Sequence, residues 1–193
     1  MVAPDVDQMS TRRRLEMTAL GLFDDDGYDN VTTQDIADAA GVTQRTFFRH
    51  FPTKLDALMG DTGERTMVFV NHLFQQPPTM TLREALIHCI SEGDTPSGPD
   101  AADVVRARVM AATPSLHAEI RRYDADLEAH FVEWIAQRTR RPRDDFDVKV
   151  AAAVIVAARR ATVEAWRNHN GSVSITDLAH QALDRVDIDL DSG

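Results

Sequence analysis

One short segment, residues 31–54 (VTTQDIADAAGVTQRTFFRHFPTK), constrains the fold of this chain more than any other. Its first half has an apolar face at helical spacing, formed by Ile36, Ala37 and Ala40. Thr33 is a candidate N-cap for this helix, and Gly41 can adopt the positive φ with which helices commonly end. Thr43 is a candidate N-cap for a second helix, and Pro52 ends it because proline disfavours helical geometry in the preceding residue. The segment therefore predicts two short helices joined by a tight turn, a helix-turn-helix.

The outward face of the second helix favours DNA as the partner. Its side chains are polar or basic, namely Gln44, Arg45, Thr46, Arg49 and His50. From Gly41 to Lys54 there is no acidic residue, although the net charge of the whole chain is −10. A basic stripe on an acidic protein suits a phosphate-facing surface with strong salt sensitivity. The alternative is a helical hairpin packed inside an all-helical protein, with its charges solvated.

Residues 10–60 resemble the DNA-binding domain of the TetR family of transcriptional regulators. The matching features are Leu22-Phe23, Gly27-Tyr28, Thr32-Thr33, Ile36-Ala37, Ala40-Gly41-Val42, Thr46, Phe48, His50-Phe51 and Lys54. The resemblance implies that the helix start at Thr32 and Thr33 lies near a phosphate, as the free N–H groups of a helix N-terminus favour. The family usually has a phosphate-binding tyrosine where Phe48 stands, so only its ring can contact the backbone here.

The first helix, predicted from Ser10 to Asp26, carries Arg12, Arg13 and Arg14 in its first turn. Positive charge there opposes the helix dipole, and an approaching phosphate would explain it, although solvated surface arginines are an equal alternative. Asp24–Asp26 crowd the other end without a functional explanation. The candidate DNA-binding residues are Arg13, Thr32, Thr33, Thr43, Gln44, Arg45, Thr46, Phe48, Arg49, His50 and Lys54.

The remaining periodicity predicts an all-α chain with few turn signals. We expect three parts: a disordered arm at 1–9, a three-helix DNA-binding domain at 10–56 and a larger helical ligand-binding and dimerisation domain at 57–193. A helix from Thr53 to about Phe74, passing Gly60 and Gly63, is expected to connect the two domains. Each glycine costs about 1 kcal/mol relative to alanine, which marks a soft point.

The two C-terminal helices have more apolar surface than one small domain needs, which suggests an intermolecular four-helix bundle. A two-fold operator also needs a two-fold protein. The TetR resemblance implies the same homodimer, with an interface at Val154, Ala158, Ala161, Ala165, Leu178 and Ala182. The alternative is that these residues pack only within one chain.

The resemblance also implies a ligand pocket between the DNA-binding domain and the dimer bundle. Candidate lining residues are Phe69, Leu73, Leu86, Cys89, Val105, Met110, His117, Arg121, Phe131, Trp134 and Trp166, most of which could equally be core. Residues 105–139 resemble, more weakly, the ligand domain of actinobacterial-type regulators, including the mycofactocin-associated group. Some of these regulators respond to long-chain acyl-coenzyme A.

Other functional classes have little support. The chain has no HExxH, CxxC, GxSxG or glycine-rich phosphate motif, so we expect neither an enzyme nor a cofactor or metal. A single cysteine, a polar N-terminus and short apolar runs favour a cytoplasmic protein without a membrane partner. The expected function is a dimeric repressor that leaves a palindromic operator when a small hydrophobic effector binds. The alternative is a helical protein-interaction module, or a ligand-binding protein, without specific DNA binding.

Overall fold

The computed structural model describes residues 10–92, 101–188 and 190, and the predicted arm at 1–9 lies outside them. All regular elements of the described residues are helical, which confirms the all-α prediction. The α-helices are α1 Thr11–Asp26, α2 Thr33–Ala39, α3 Gln44–His50, α4 Lys54–Met59, α5 Thr62–Gln75, α6 Leu82–Glu92, α7 Ala101–Ala112, α8 His117–Thr139, α9 Phe146–Asn168 and α10 Ile175–Leu183. Short 3-10 turns occupy Tyr28–Asn30 and Pro114–Leu116.

Helices α1 to α4 enclose the first of two apolar clusters. This N-terminal cluster includes Leu15, Phe23, Ile36, Phe47, Phe51 and Leu58, each almost fully buried. It also takes in Ala102 and Val109 of α7 and Leu116 of the following turn. Part of the core beneath the helix-turn-helix therefore comes from residues beyond the expected division at residue 56. Burial of their apolar surface stabilises this part of the fold. The domain boundaries themselves stay a prediction.

The second, C-terminal cluster lies between α5, α6, α8, α9 and α10. Its buried members include Leu73, Leu86, Phe131, Trp134, Ile135, Ile155 and Leu183. The indole of Trp134 donates a hydrogen bond of 3.0 Å to the Leu73 carbonyl, so its one polar atom is satisfied although the side chain is buried. This cluster fixes the long helices α8 and α9 against each other.

The connecting helix is interrupted, so the prediction of a continuous helix from Thr53 to Phe74 was wrong. Helix α4 ends at Met59, and Gly60 has φ +58° and ψ −120°. A Cβ at Gly60 would lie 2.8 Å from Arg106 Nη2 and 2.9 Å from Glu16 Cδ. Because both the dihedral angle and the space exclude a side chain, the glycine breaks the helix rather than only weakening it.

A buried ion pair lies directly beneath this break. Arg106 of α7 and Glu16 of α1 are 2.7 Å apart, with side chains that are 5% and 7% exposed. Arg106 Nε also donates to the Leu58 carbonyl at 2.6 Å. One guanidinium therefore joins α1, α4 and α7. A second link between α1 and α7 is the Asp24–Arg108 pair, which gives Asp24 a structural role that its sequence position did not explain.

Candidate nucleic-acid interface

The start of α2 is fixed by a capping box. Thr32 Oγ1 accepts from the Asp35 backbone N–H, and the Asp35 carboxylate accepts from Thr32 N and Oγ1 at 2.8 and 2.6 Å. These bonds lower the pKa of Asp35. The prediction that Thr33 is the cap was therefore wrong by one residue, because Asp35 lies three positions after Thr32. The Thr33 hydroxyl instead accepts a hydrogen bond of 3.0 Å from Gln44 Nε2, which links the starts of α2 and α3.

Helix α3 is held by its inner side. Thr43 caps it as predicted, since its hydroxyl accepts from the Thr46 N–H at 3.2 Å. Phe47 is fully buried and packs against Phe51, with ring centroids 5.9 Å apart. Gly41 has φ +67° in the turn before α3, where a positive angle was expected. With these contacts fixed, the opposite face of α3 projects away from the core.

Five side chains of this outer face line one open concavity of 650 Å³, namely Gln44, Arg45, Thr46, Phe48 and Arg49. Arg45, Phe48 and Arg49 are exposed, and Gln44 and Thr46 are half-buried. Arginine and glutamine can donate to base edges and phosphates, and an exposed ring can pack on a thymine methyl group or a sugar. The face thus combines base-reading and phosphate-binding groups on one short, rigid helix.

The side chains at the end of α3 and the start of α1 have internal contacts instead. His50 Nε2 is buried without a hydrogen-bond partner among the described residues, and the His50 carbonyl accepts from Arg12 Nη1 at 2.9 Å. The Arg12 guanidinium lies 4.5 Å from the centroid of the Phe51 ring. Arg13 pairs with Glu16 at 3.0 Å. The DNA contacts proposed for Arg13 and His50 remain predictions, and Arg12 connects α1 to α3.

Lys54 also has an internal site. Its Nζ donates to the carbonyls of Tyr28 and Val31 at 2.6 and 2.8 Å and lies 4.1 Å from the centroid of the Tyr28 ring. Burial lowers the pKa of Lys54, and the carboxylate of Asp29 opposes that shift. Lys54 thus holds the loop before α2 against α4. A phosphate contact by Lys54 stays a prediction.

The candidate pocket residues do not come together at one place. Those in the C-terminal cluster are Phe69, Leu73, Leu86, Cys89, Phe131 and Trp134, and all but Phe69 are almost fully buried. Val105 and Met110 pack against the N-terminal cluster, and Trp166 lies beside Val104 and Gly171. His117 and Arg121 are exposed. Burial raises the pKa of the Cys89 thiol, as in an apolar core.

The candidate interface residues, on α9 and α10, are mostly less exposed than an apolar stripe on another face of α9. Ala161 is exposed, whereas Val154, Ala158, Ala165, Leu178 and Ala182 are half-buried, and Val154 packs on the C-terminal cluster. The exposed stripe consists of Phe146, Val150, Ala153 and Ala157. Sequence reasoning missed these residues, although their spacing of four, three and four is the pattern of a helix–helix contact.

A helix-turn-helix with a polar outer face, joined to a second helical unit, defines the class of helical DNA-binding regulators. Comparison with known proteins identifies the family. Residues 17–58 match the model described as bacterial regulatory proteins, tetR family, and residues 76–191 match the model described as the MftR C-terminal domain. The chain belongs to the TetR family and is a DNA-binding transcriptional regulator, as predicted.

Individual proteins agree with the family assignment. The HTH-type transcriptional regulator TcmR of Streptomyces glaucescens is 29% identical over 81% of this chain and 73% of its own length. The putative mycofactocin biosynthesis regulator MftR of Mycobacterium tuberculosis is 27% identical over 94% of this chain and 92% of its own. The structure of Bacillus subtilis FadR with stearoyl-CoA aligns with a TM-score of 0.59 and 20% identity, covering 89% and 95% of the two chains.

Within residues 10–92 and 101–188, no three histidine, cysteine or acidic side chains are grouped so that they could hold a metal ion. The helices of the same ranges are all too short or too polar to cross a bilayer.

Proposed function

We propose that the chain is a homodimeric repressor that binds a palindromic operator through two copies of α3. The observation that carries this proposal is the exposed face of Arg45, Phe48 and Arg49, presented by a helix whose other side is anchored by the buried Phe47. A recognition helix of seven residues reads only a few base pairs, so two copies are needed for useful specificity.

The exposed stripe on α9 supports the dimer. Phe146 is 78% exposed and Val150 is 43% exposed, and with the exposed alanines of α9 they form one continuous apolar stripe rather than single exposed side chains. Alanines at 153, 157 and 161 continue the stripe and permit close approach of a second helix. We place the two-fold contact on this face of α9, together with the neighbouring α10 residues Leu178 and Ala182.

A small amphiphilic effector is the proposed release signal. A ligand releases DNA if it favours a non-binding arrangement of the two α3 helices by a few kcal/mol. FadR of Bacillus subtilis is described in complex with stearoyl-CoA, which makes acyl-coenzyme A one candidate effector class.

The operator proposal is tested by gel shift with DNA from upstream of the gene, titrated with salt. We expect Arg45→Ala to weaken operator binding by about 1–3 kcal/mol while leaving binding to random DNA nearly unchanged. Arg121→Ala, a matched loss of an exposed arginine on α8, should leave operator affinity unchanged. Equal affinity of the native chain for operator and random DNA would instead support a helical module without specific DNA binding.

The dimer proposal is tested by sedimentation velocity. Val150→Asp puts a charge in the α9 stripe and should convert dimers to monomers, because an unpaired charge at an interface core is costly. Val68→Asp is the control, since Val68 is 62% exposed on α5 outside the stripe. If Val150→Asp remains dimeric, the dimer interface does not lie on the α9 stripe.

A further inference from the structure

A second concavity, of 260 Å³, lies at the junction between α4 and the start of α8. Its apolar part includes Met59 of α4, Met110 of α7 and Ile120 of α8. Methionine side chains are flexible and adapt to varied apolar ligands. The volume is just below the range of about 300–1,000 Å³ usual for small-molecule sites. This junction cleft is separate from the concavity on α3.

Three carboxylates rim the junction cleft: Asp56, Glu119 and Asp126. Glu119 and Asp126 are seven positions apart and therefore share one face of α8. Asp56 belongs to α4. The acidic groups that line the cleft thus come from two different helices and share the lining with apolar side chains.

The charges at this rim are only partly compensated. Arg122, the one basic lining residue, is 67% exposed and pairs with Glu119 at 2.9 Å. Asp56 accepts from the Thr53 backbone N–H at 2.8 Å and from its hydroxyl at 2.7 Å. Asp126 has no hydrogen-bond or ion-pair partner among the residues that the structure describes. The net charge of the lining is therefore −2, from three acids and one arginine.

Tyr28, in the loop before α2, lies within electrostatic range of two of these rim residues. Burial raises its pKa to about 12, and the carboxylates of Asp29, Glu119 and Asp56 add to the shift because they disfavour a phenolate. Two rim residues thus act on a group in the DNA-binding half. A multiply charged anion such as the phosphates of coenzyme A would meet repulsion here.

We propose that the junction cleft binds a small organic cation with an apolar tail, the ammonium at the acidic rim and the tail on Met59, Met110 and Ile120. This site rests on the proposed function, because it supplies an effector for the repressor. An occupant touches α4 of the DNA-binding half and α8 of the other half together. Binding energy that depends on the spacing of α4 and α8 is what couples the cleft to α3.

The binding step is tested with the full chain by isothermal titration calorimetry. The three probes are octyltrimethylammonium, neutral N,N-dimethyloctanamide and octanoate, which share a tail and differ in charge. We expect the cation to bind about tenfold more tightly than the amide, because the two uncompensated negative charges of the lining attract it at short range. Octanoate should bind more weakly than either, because the same charges repel its carboxylate. Octanoate binding as tightly as the cation would overturn the proposal.

The rim is tested with Glu119→Gln/Asp126→Asn, which keeps side-chain size and should remove the preference for the cation. Glu128→Gln/Asp187→Asn removes two acids outside the cleft and should leave that preference intact. An unchanged preference in the rim variant would refute the assignment even if the cation binds.

The location is tested by methyl NMR of the chain labelled with ¹³C-methyl methionine, which carries seven methionines. Octyltrimethylammonium should shift the Met59 and Met110 resonances and leave Met80, in the C-terminal cluster, unmoved. Shifts at Met80 alone would place the ligand elsewhere and overturn the proposal.

DNA release is measured separately, so that the two proposals fail differently. Cation binding at Met59 and Met110 without loss of the operator gel shift would retain the cleft and reject effector control by this site. Specific operator binding without cation binding would reject the cleft and retain the DNA-binding function.

Discussion

Among single side chains, Lys54 has contacts that assign it a structural role in positioning the DNA-binding surface. An ammonium that donates to two carbonyls and lies over a tyrosine ring closes the loop between α1 and α2. The loop carries the capping box of α2, so its position sets the position of Thr33 and, through Gln44, of α3. A surface lysine that only met phosphate would have no such bonds.

We expect Lys54→Met to lower the free energy of unfolding by about 1–3 kcal/mol, because the apolar stem is kept while two part-buried carbonyls lose a charged donor. Urea denaturation measures the change. The chain offers a matched control, Lys149→Met, since Lys149 is exposed on α9 and should change stability by less than about 0.5 kcal/mol. Native stability in Lys54→Met with weakened binding to all DNA would favour the phosphate role instead.

The raised pKa of Tyr28 predicts that the stability of the fold decreases at high pH. Its folded-state pKa of about 12 exceeds the unfolded value of 10.0, so the folded chain retains a proton that the unfolded chain loses. This contribution to stability is unchanged below pH 10 and falls as the pH rises from 10 to 12.

Absorbance of the phenolate measures this titration directly. The chain has two tyrosines, and Tyr123→Phe leaves Tyr28 as the single chromophore. We expect its midpoint near 12 in the folded protein and near 10 in urea. A folded midpoint at 10 would show that the side chain is solvated.

Among the helices, α2 and α3 could be predicted closely because their signals are local. An apolar face, a glycine with positive φ and a threonine N-cap each act within a few residues. Two adjacent threonines, 32 and 33, are equally good caps by type, but Asp35 lies three positions after Thr32, a local capping-box signal that sequence reasoning missed. The inward turns of Arg12 and Lys54 depend on carbonyls more than 20 residues away, so no local pattern could indicate them.

The break between α4 and α5 shows the same limit. Gly60 and Gly63 look alike in sequence, and both are compatible with a weakened helix. What distinguishes them is Arg106, which lies 46 positions after Gly60 in the chain and beside it in the fold. The site residues on α3 were predictable from sequence, whereas the junction cleft was not, because it forms between α4 and the α7–α8 segment, which are distant in sequence.

These two glycines give a paired test of the break. Gly60→Ala should destabilise the protein by more than about 1 kcal/mol, since a Cβ there meets Arg106 and Glu16 at a positive φ. Gly63→Ala should stabilise it by about 0.4–1 kcal/mol, because Gly63 lies in α5 with open space around its Cβ position. Thermal unfolding of both variants measures the difference. Equal effects would mean that the break is not required.

Across the full chain, α7 unites the two halves. It supplies Ala102 and Val109 to the N-terminal cluster and Arg106 to the buried ion pair with Glu16. Buried pairs contribute little beyond an apolar replacement, yet removing one partner is costly because the other charge is left without compensation. Arg106 therefore fixes the position of α7 relative to α1 and α4 more than it adds to stability.

Arg106→Met should destabilise the protein by about 3 kcal/mol, and Glu16→Met/Arg106→Met should recover a large part of that loss. Arg108→Met is the control on the same helix; its guanidinium is 48% exposed and pairs with Asp24, so about 1 kcal/mol or less is expected. Urea midpoints are compared for the native chain, Arg106→Met, Glu16→Met, the double variant and Arg108→Met. A double variant as unstable as the sum of its singles would show that the two residues act independently.

The sharing of α7 has a practical consequence for engineering. A chimera that grafts residues 10–60 onto another regulator would expose part of the N-terminal cluster beneath the helix-turn-helix. The reason is that Ala102, Val109 and Leu116, which complete that cluster, would remain in the donor protein. Such a graft needs α7 transplanted with it, or a recipient helix redesigned to carry the same small and branched side chains. Domain exchange in this protein should therefore include α7 in the transferred part, rather than divide the chain at the break between α4 and α5.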